Sequence, residues 1–561
     1  MNTTKTDSKK NMVATHIFQS VSKYVSKNYA VLIVFASTFL VACVVAFFVT
    51  ASSETVYSFS VTEFEVGQIA DRTIVADKTL SPETDGDIGV VAGEKVIRKG
   101  FPITQEAMSK LHRMAETPAY IDYREFANKV LYLMLIVAMA FLLFNPVLSG
   151  KSVTVKECIL LGVFFVLIYA LTGFCSKVTI FSSPYTLPVA IPGAFCVLLV
   201  AVMFGQIHGV YFSIVISLGV LNASLANIIP ALFVLASGLA TTRIVRNIER
   251  RIDMVFVSLL LALLHLVFMV TFKIIFNSSF SDALFSLMMI SLNGFLSGIL
   301  ALGFLTPLET LLNTASVFRL MELSDLNNPV MRKMLVTASG TYNHSLMVAT
   351  LAENACRAIN ANSLLARVGA YYHDLGKLDQ SEYFVENQAT NDNKHDDINP
   401  RLSVAVIKSH VKKGVEKAHQ LRLPPEVVEI ISEHHGNSLV SYFYNEAKKQ
   451  DANVSPEEFS YGGNPPSSKE SAVVMLADTV EAACRTLENP SVSRLEKFIH
   501  ELVMSKFDHK QLDKSELSFR DLAVIEDSFV QILAGHYHSR IKYPNQKDPD
   551  NTTFSQEQSK E

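Results

Sequence analysis

The chain has 561 residues, 49% of them hydrophobic, and a formal net charge of -4. That length exceeds one domain, and a mean hydropathy of +0.28 points to an integral membrane protein with a soluble part. So small a net charge gives no electrostatic case for nucleic acid. The six cysteines, Cys43, Cys158, Cys175, Cys196, Cys356 and Cys484, form no CxxC pair, which excludes a disulfide framework and a thiolate zinc site.

Residues 1–28 are polar, carry Lys5, Lys9, Lys10, Lys23 and Lys27, and read as a cytoplasmic lead. The apolar run 29–51 is long enough to span a bilayer. Its length and the extended lead favour an uncleaved anchor over a signal peptide. Residues 52–127 form a polar interval, expected to be a small extracytoplasmic α+β insert. Val91–Ile97 suits a strand or two, and Thr104 can cap a helix over Gln105–Glu116. A structural spacer and a sensory unit with its own ligand both remain open.

Apolar spans follow near 129–147, 157–175, 186–205, 208–226, 228–242, 254–276 and 283–305. Arg243, Arg246, Arg250 and Arg251 share one short loop, and Lys151 and Lys156 another; both belong inside under the positive-inside rule. An anchor plus seven further spans satisfies both loops and leaves the remainder of the chain inside. Gly193, Gly205, Gly209, Gly219, Gly238, Gly294 and Gly298 suit close helix packing, and His208 reads as structural. Residues 306–334 form a juxtamembrane connector. Its Leu308, Leu311, Leu312, Ala315 and Phe318 make one stripe at helical spacing, a mechanical link between the membrane and soluble parts. Asn327-Asn328-Pro329 marks the turn into the soluble domain, 335–540, and residues 541–561 have the composition of a disordered tail.

The chemistry concentrates between Thr341 and Glu481. Met347 and Leu351 share a helix face with His344, Ile407 with His410, and Val427 and Ile431 with His434 and His435. His373-Asp374 close a helix whose apolar face is Leu364, Leu365, Val368 and Tyr372, before Gly376 ends it. Asp478 sits in the nearly continuous apolar run Val473–Ala482, where an unpaired carboxylate is costly to bury. Each residue alone could be a satisfied core group. Five histidines and two aspartates facing inward call for a common partner, which cations supply most simply.

His…His-Asp…Asp resembles the ligand pattern of the HD-domain metallophosphohydrolases. The fuller text is similar to the membrane-bound HD phosphodiesterases that degrade cyclic di-AMP in bacteria, which place a seven-helix membrane unit before the HD domain. The matching phrases are Met321-Glu322-Leu323-Ser324, Gly340-Thr341-Tyr342-Asn343-His344-Ser345, Tyr372-His373-Asp374-Leu375-Gly376-Lys377, Tyr383-Phe384-Val385-Glu386-Asn387-Gln388 and His434-His435-Gly436. The likeness is fullest from about Leu320 to Asn489. It departs at Asn393-Lys394-His395-Asp396 and Gly463-Asn464-Pro465, both outside the seven ligands.

The resemblance implies an all-α fold: a multi-pass helical membrane domain, then a cytoplasmic all-helical HD domain. It implies two divalent ions, iron or manganese favoured, with zinc not excluded by this thiolate-free set. His344, His373, Asp374 and Asp478 would hold one ion, and Asp374, His410, His434 and His435 the other. Two metals about 3.5–4 Å apart both supply a nucleophile at neutral pH and relieve phosphate charge. Lys377 is the expected catalytic cation. Asn387, Tyr461 and Arg485 are candidate substrate contacts, although Arg485 can equally be a charge partner within the fold.

The implied partners are a cyclic dinucleotide, the lipid bilayer of a bacterial inner membrane, an unidentified ligand of the outer segment and a homo-oligomer. Enzymes for cyclic di-GMP typically carry glycine-tyrosine-proline after the paired histidines. Here Gly436-Asn437-Ser438 follows, which favours cyclic di-AMP. The alternatives are an HD hydrolase for another nucleotide and a nucleotide-binding receptor.

Overall fold

The computed structural model describes residues 26, 28–50, 64–76, 79–81, 88–115, 123–149, 153–224, 226–280, 283–388, 393–487 and 490–537. The expected lead through residue 25 and the expected tail 541–561 lie outside the described residues. Contacts divide the chain into two compact units, Met1–Leu308 and Glu309–Glu561.

In the first unit six helices are long and apolar enough to cross a membrane: Asn28–Thr50, Glu125–Leu143, Val155–Cys175, Gln206–Ala223, Asp253–Ile275 and Ala283–Leu312. Two shorter apolar helices, Gly193–Phe204 and Ile228–Ile244, complete the set among the described residues. The span expected over 186–205 is divided. A turn of helix at Leu187–Ala190 stops at Ile191-Pro192 before the helix Gly193–Phe204 begins, because Pro192 has no N–H to continue the ladder. The Asn293 amide donates to the freed carbonyls of Val189 and Ile191 at 2.9 and 3.4 Å. The uncharged stretch from Gly209 to Thr242 breaks at Ser224–Asn227, where the Asn227 side chain accepts from Ile229 N and caps the next helix. Helices Asp253–Ile275 and Ala283–Leu312 touch at backbone range: a Cβ on Gly294 would stand 2.7 Å from the Leu261 carbonyl oxygen. His208 is buried beside the Phe144 ring.

Residues 64–115 fold as a small α+β unit. Strands Ile74–Val75 and Lys95–Ile97 pair antiparallel, and the helix Gln105–Ala115 lays Ala107, Leu111 and Met114 against Phe64, Ile74 and Val96. Thr104 caps that helix, its hydroxyl accepting from Ala107 N at 3.1 Å. The strand is shorter than expected, because Val91–Glu94 is a turn in which Gly93 takes φ +85°.

Among its described residues the second unit is helical apart from an isolated bridge between Leu439 and Ser460, and here the connector departs from expectation. The stripe Leu308–Phe318 is not one helix face. The helix ends at Leu312, Asn313 turns the chain with φ 55°, and Ser316 caps a new helix, Val317–Leu323. Leu311 is left exposed, whereas Phe318 and Leu320 are buried. Asn328 and Pro329 then start the helix Pro329–Thr337 as expected, with Asn328 accepting from Val330 N at 3.0 Å.

The core of this unit is built on two buried helices, Ser339–Ala358 and Lys469–Cys484. Val473, Val474, Met475, Leu476, Ala477 and Val480 are all sealed from solvent, so the second is apolar nearly all round, as a helix enclosed on every side must be. Around them pack Val368 and Tyr372 of Ser363–Tyr372, Ile430 and Ile431 of Pro425–Glu433, Ile499 of Val492–Asp508, and Phe529 of Phe519–Tyr537. Burying each such side chain contributes about 1.5–3 kcal/mol. One close approach positions the site: a Cβ on Gly376 would fall 1.8 Å from the His410 carbonyl oxygen and 2.6 Å from Gly414 N. Only glycine lets the turn Leu375–Asp379 lie directly on the helix Pro400–Gln420.

Candidate metal centre

All seven expected ligands converge, from five separate elements. His344 projects from the second turn of Ser339–Ala358, His373 caps the C-terminus of Ser363–Tyr372, and Asp374 follows in an irregular conformation (φ -100°, ψ 16°). His410 lies within Pro400–Gln420, His434 caps Pro425–Glu433, and Asp478 lies within Lys469–Cys484. After His435, Gly436 takes φ +53° and turns the chain away.

Asp374 stands between two groups of imidazoles. Its Oδ2 is 3.2 Å from His373 Nε2 and 3.6 Å from His344 Nε2. Its Oδ1 is 3.4 Å from His410 Nε2 and 3.9 Å from His434 Nε2. Asp478 approaches His344 Nε2 at 3.1 Å through Oδ1 and His435 Nδ1 at 3.6 Å through Oδ2. Ligand atoms of His344, His373 and Asp374 lie within 4.8 Å of one another, and so do those of His410, His434 and His435.

The hydrogen bonds tell which ring nitrogen is left over. His373, His410 and His434 each donate Nδ1–H to the carbonyl three residues back, at 2.7, 2.6 and 2.8 Å. His344 Nδ1 donates to Glu481 Oε2 at 2.5 Å. A carbonyl only accepts, so the protons sit on Nδ1 and the Nε2 lone pairs point inward. His410 Nε2 and His434 Nε2 then face each other at 3.2 Å: lone pair against lone pair, an arrangement a cation between them resolves. His373 Nε2 and Asp374 Oδ1 are fully buried without a hydrogen-bond partner. The residues fit divalent ions by this test.

Charge follows the same logic. Burial, with Lys377 and His373 opposing the pull of Asp374, holds His410 down to about 4. Burial, with His373 and His410, holds His434 at about 3. Both are neutral and ready to ligate at pH 7. Burial alone would lower His344, but hydrogen bonds to Asp478 and Glu481 outweigh it and hold the ring up to about 10. At that nitrogen a proton and a metal ion are alternatives, so ion uptake there releases a proton. Asp374 lies well below the usual carboxylate range, because His373 and Lys377 outweigh its burial.

Lys377 reaches the same carboxylate, its Nζ 2.7 Å from Asp374 Oδ2, 2.9 Å from Glu386 Oε1 and 4.9 Å over the Phe384 ring. It lines a cleft of about 740 Å³ with His344, His410, His435, Asp478 and Glu386. Tyr461 lines it too, stacked on His435 with centroids 4.3 Å apart. Arg485 borders the cleft and is at the same time ion-paired to Glu481.

Asn387 takes a structural place. It does not line the cleft. The helix Ser339–Ala358 lacks a side-chain N-cap of its own, and Asn387 supplies one from 46 residues away: Oδ1 accepts from Thr341 N at 3.0 Å, and Nδ2 donates to Thr341 Oγ1 at 2.9 Å. It holds the His344 helix. His395 also stands apart, its Nε2–H donating to Tyr383 O at 2.8 Å and its ring packed on Phe443. Glu481 was not singled out by the sequence. Its signal was there, three residues after Asp478 and four before Arg485 on one helix face.

A helical unit that gathers ligands in the order His, His-Asp, His, His-His, Asp defines the HD-domain class of metal centre. Two family models match the chain, one over each part. Residues 341–483 match the HD domain model, and residues 123–316 match the model for the 7TM receptor with intracellular HD hydrolase. The chain is 39% identical over 320 residues to the cyclic-di-AMP phosphodiesterase PgpH of Bacillus subtilis, covering 57% of this chain and 45% of that protein. To the PgpH of Listeria monocytogenes it is 28% identical over 470 residues, covering 82% and 65%. It thus spans less than two thirds of either relative's length. The crystal structure of the L. monocytogenes PgpH HD domain in complex with cyclic-di-AMP is 38% identical and covers 38% of this chain and 100% of that one, at a TM-score of 0.37.

Proposed function

We propose that the chain is a membrane-anchored phosphodiesterase that opens cyclic di-AMP to linear pApA at a centre of two divalent ions, iron or manganese favoured. The observation that carries this reading is Asp374, whose two oxygens face two separate imidazole groups. The relatives named above, cyclic-di-AMP phosphodiesterases, support the substrate. Two ions about 3.5–4 Å apart would polarise the phosphate and activate water. His344, His373, Asp374 and Asp478 would hold one, and Asp374, His410, His434 and His435 the other.

The chain's own residues do the rest. The Nδ1 hydrogen bonds fix each ring so that Nε2 faces inward without rearrangement. Lys377, anchored between Asp374 and Glu386, presents a fixed positive charge to a non-bridging phosphate oxygen. Tyr461 walls the cleft beside His435, and Arg485 offers its free donors to the second phosphate.

The membrane unit would anchor this domain at a bacterial inner membrane, with the loops bearing Arg243–Arg251 and Lys151–Lys156 and the HD domain on the cytoplasmic side. The α+β unit within 52–127 would then lie outside, with a ligand of its own. The domain limits proposed are 1–28, 29–51, 52–127, 128–305, 306–334, 335–540 and 541–561. The test is a substrate panel on the purified full chain: cyclic di-AMP, cyclic di-GMP and nucleoside tri- and tetraphosphates. Cyclic di-AMP should be turned over fastest with pApA as first product; preference for a linear polyphosphate would overturn the substrate reading.

A further inference from the structure

Three of the four inward-facing Nε2 histidines rest on backbone carbonyls, and the fourth does not. His344 gives its Nδ1–H to the carboxylate of Glu481, at 2.5 Å. Both side chains are buried, 6% and 8% exposed. The other oxygen of the same carboxylate, Oε1, holds the guanidinium of Arg485 one helical turn on. Arg485 is 47% exposed and borders the cleft. One side chain therefore ties a ligand on the floor of the site to a cation on its wall.

We infer that Glu481 is a positioning residue of the metal centre, fixing and polarising His344 with one oxygen and aiming Arg485 with the other. The inference rests on the two-ion reading above. A carboxylate behind an imidazole sets its tautomer and orientation and raises its basicity more than a neutral carbonyl does. The ion held by His344, His373, Asp374 and Asp478 is thereby made dependent on Glu481, and the ion held by His410, His434 and His435 is not. Glu481 follows Asp478 by three residues and precedes Arg485 by four, so one helix face carries ligand, orienting acid and cleft cation.

The test uses the full chain in detergent, stripped of metal and titrated with manganese(II) against a fluorescent chelator. Wild type should take up two ions per chain. Glu481→Gln, which keeps the shape, and Glu481→Ala should each weaken one ion by roughly 10–100-fold and leave the other unchanged. Arg485→Gln should keep both ions at wild-type affinity and raise KM for cyclic di-AMP on the order of tenfold with kcat little changed. Both ions bound by the Glu481 variants as tightly as by wild type would overturn the inference. So would equal weakening of both ions, which is the mark of a general structural role. A wild-type chain that takes up fewer than two ions would instead sink the two-ion reading itself.

Discussion

At the scale of the residue, Asp374 faces His373 and His344 through one oxygen and His410 and His434 through the other. Asp374→Ala should therefore remove both ions and lower turnover by at least roughly 10³-fold, the kinetic equivalent of the several kcal/mol such ions supply; product release by chromatography and metal analysis of the same sample check it. Lys377→Met leaves Asp374 and Glu386 without their cation and should reduce kcat about 10²–10³-fold. A pH prediction follows from His410 and His434. Their rings are held at about 4 and about 3 in the folded protein against about 6.5 unfolded. The unfolded chain thus binds more protons between those values, and stability falls as pH falls from about 6.5 towards 4. His344, held up to about 10, contributes fully throughout that window and does not oppose the trend. The thermal midpoint of the metal-stripped protein should drop steadily between pH 6.5 and 4; a flat profile would contradict the assignment. The convergence of the seven residues was legible in the sequence, because adjacent pairs such as His434-His435 make poor packing residues. The capping role of Asn387 was not legible, since capping a helix 46 residues away leaves no local pattern. Glu481 was missed because a carboxylate behind a ligand looks like any helix-face acid until the rotamers are known.

At the scale of the element, the site depends on helices brought closer than side chains ordinarily allow. Gly376→Ala would drive a methyl into the His410 carbonyl and Gly414, pushing the Pro400–Gln420 helix off the turn that carries Asp374. The expected cost is about 1–3 kcal/mol, with loss of the ion held by His410, seen as a lowered thermal midpoint and reduced metal content. Helix positions were well read where apolar runs meet charge or glycine, as at Asp253–Ile275. They were read poorly where a single backbone feature intervenes. Pro192 splits one expected span, and Asn313 in the left-handed region cuts the connector stripe between Leu312 and Ala315. Hydrophobic spacing alone is blind to both, because the residues on either side keep a helical period.

At the scale of the whole molecule, a membrane unit and a helical HD domain share one chain, and the family models match them in that order. The broad architecture was legible because a bilayer demands long apolar runs and a buried metal demands histidines on apolar faces. What the two units do together turns on the centre itself. The most direct measurement is the number of ions retained per chain by the full-length protein purified in detergent, read alongside cyclic di-AMP hydrolysis in the same fractions. Two ions per chain, lost together with activity on chelation and restored together by iron or manganese, is the predicted result; full activity at one ion per chain or none would contradict it.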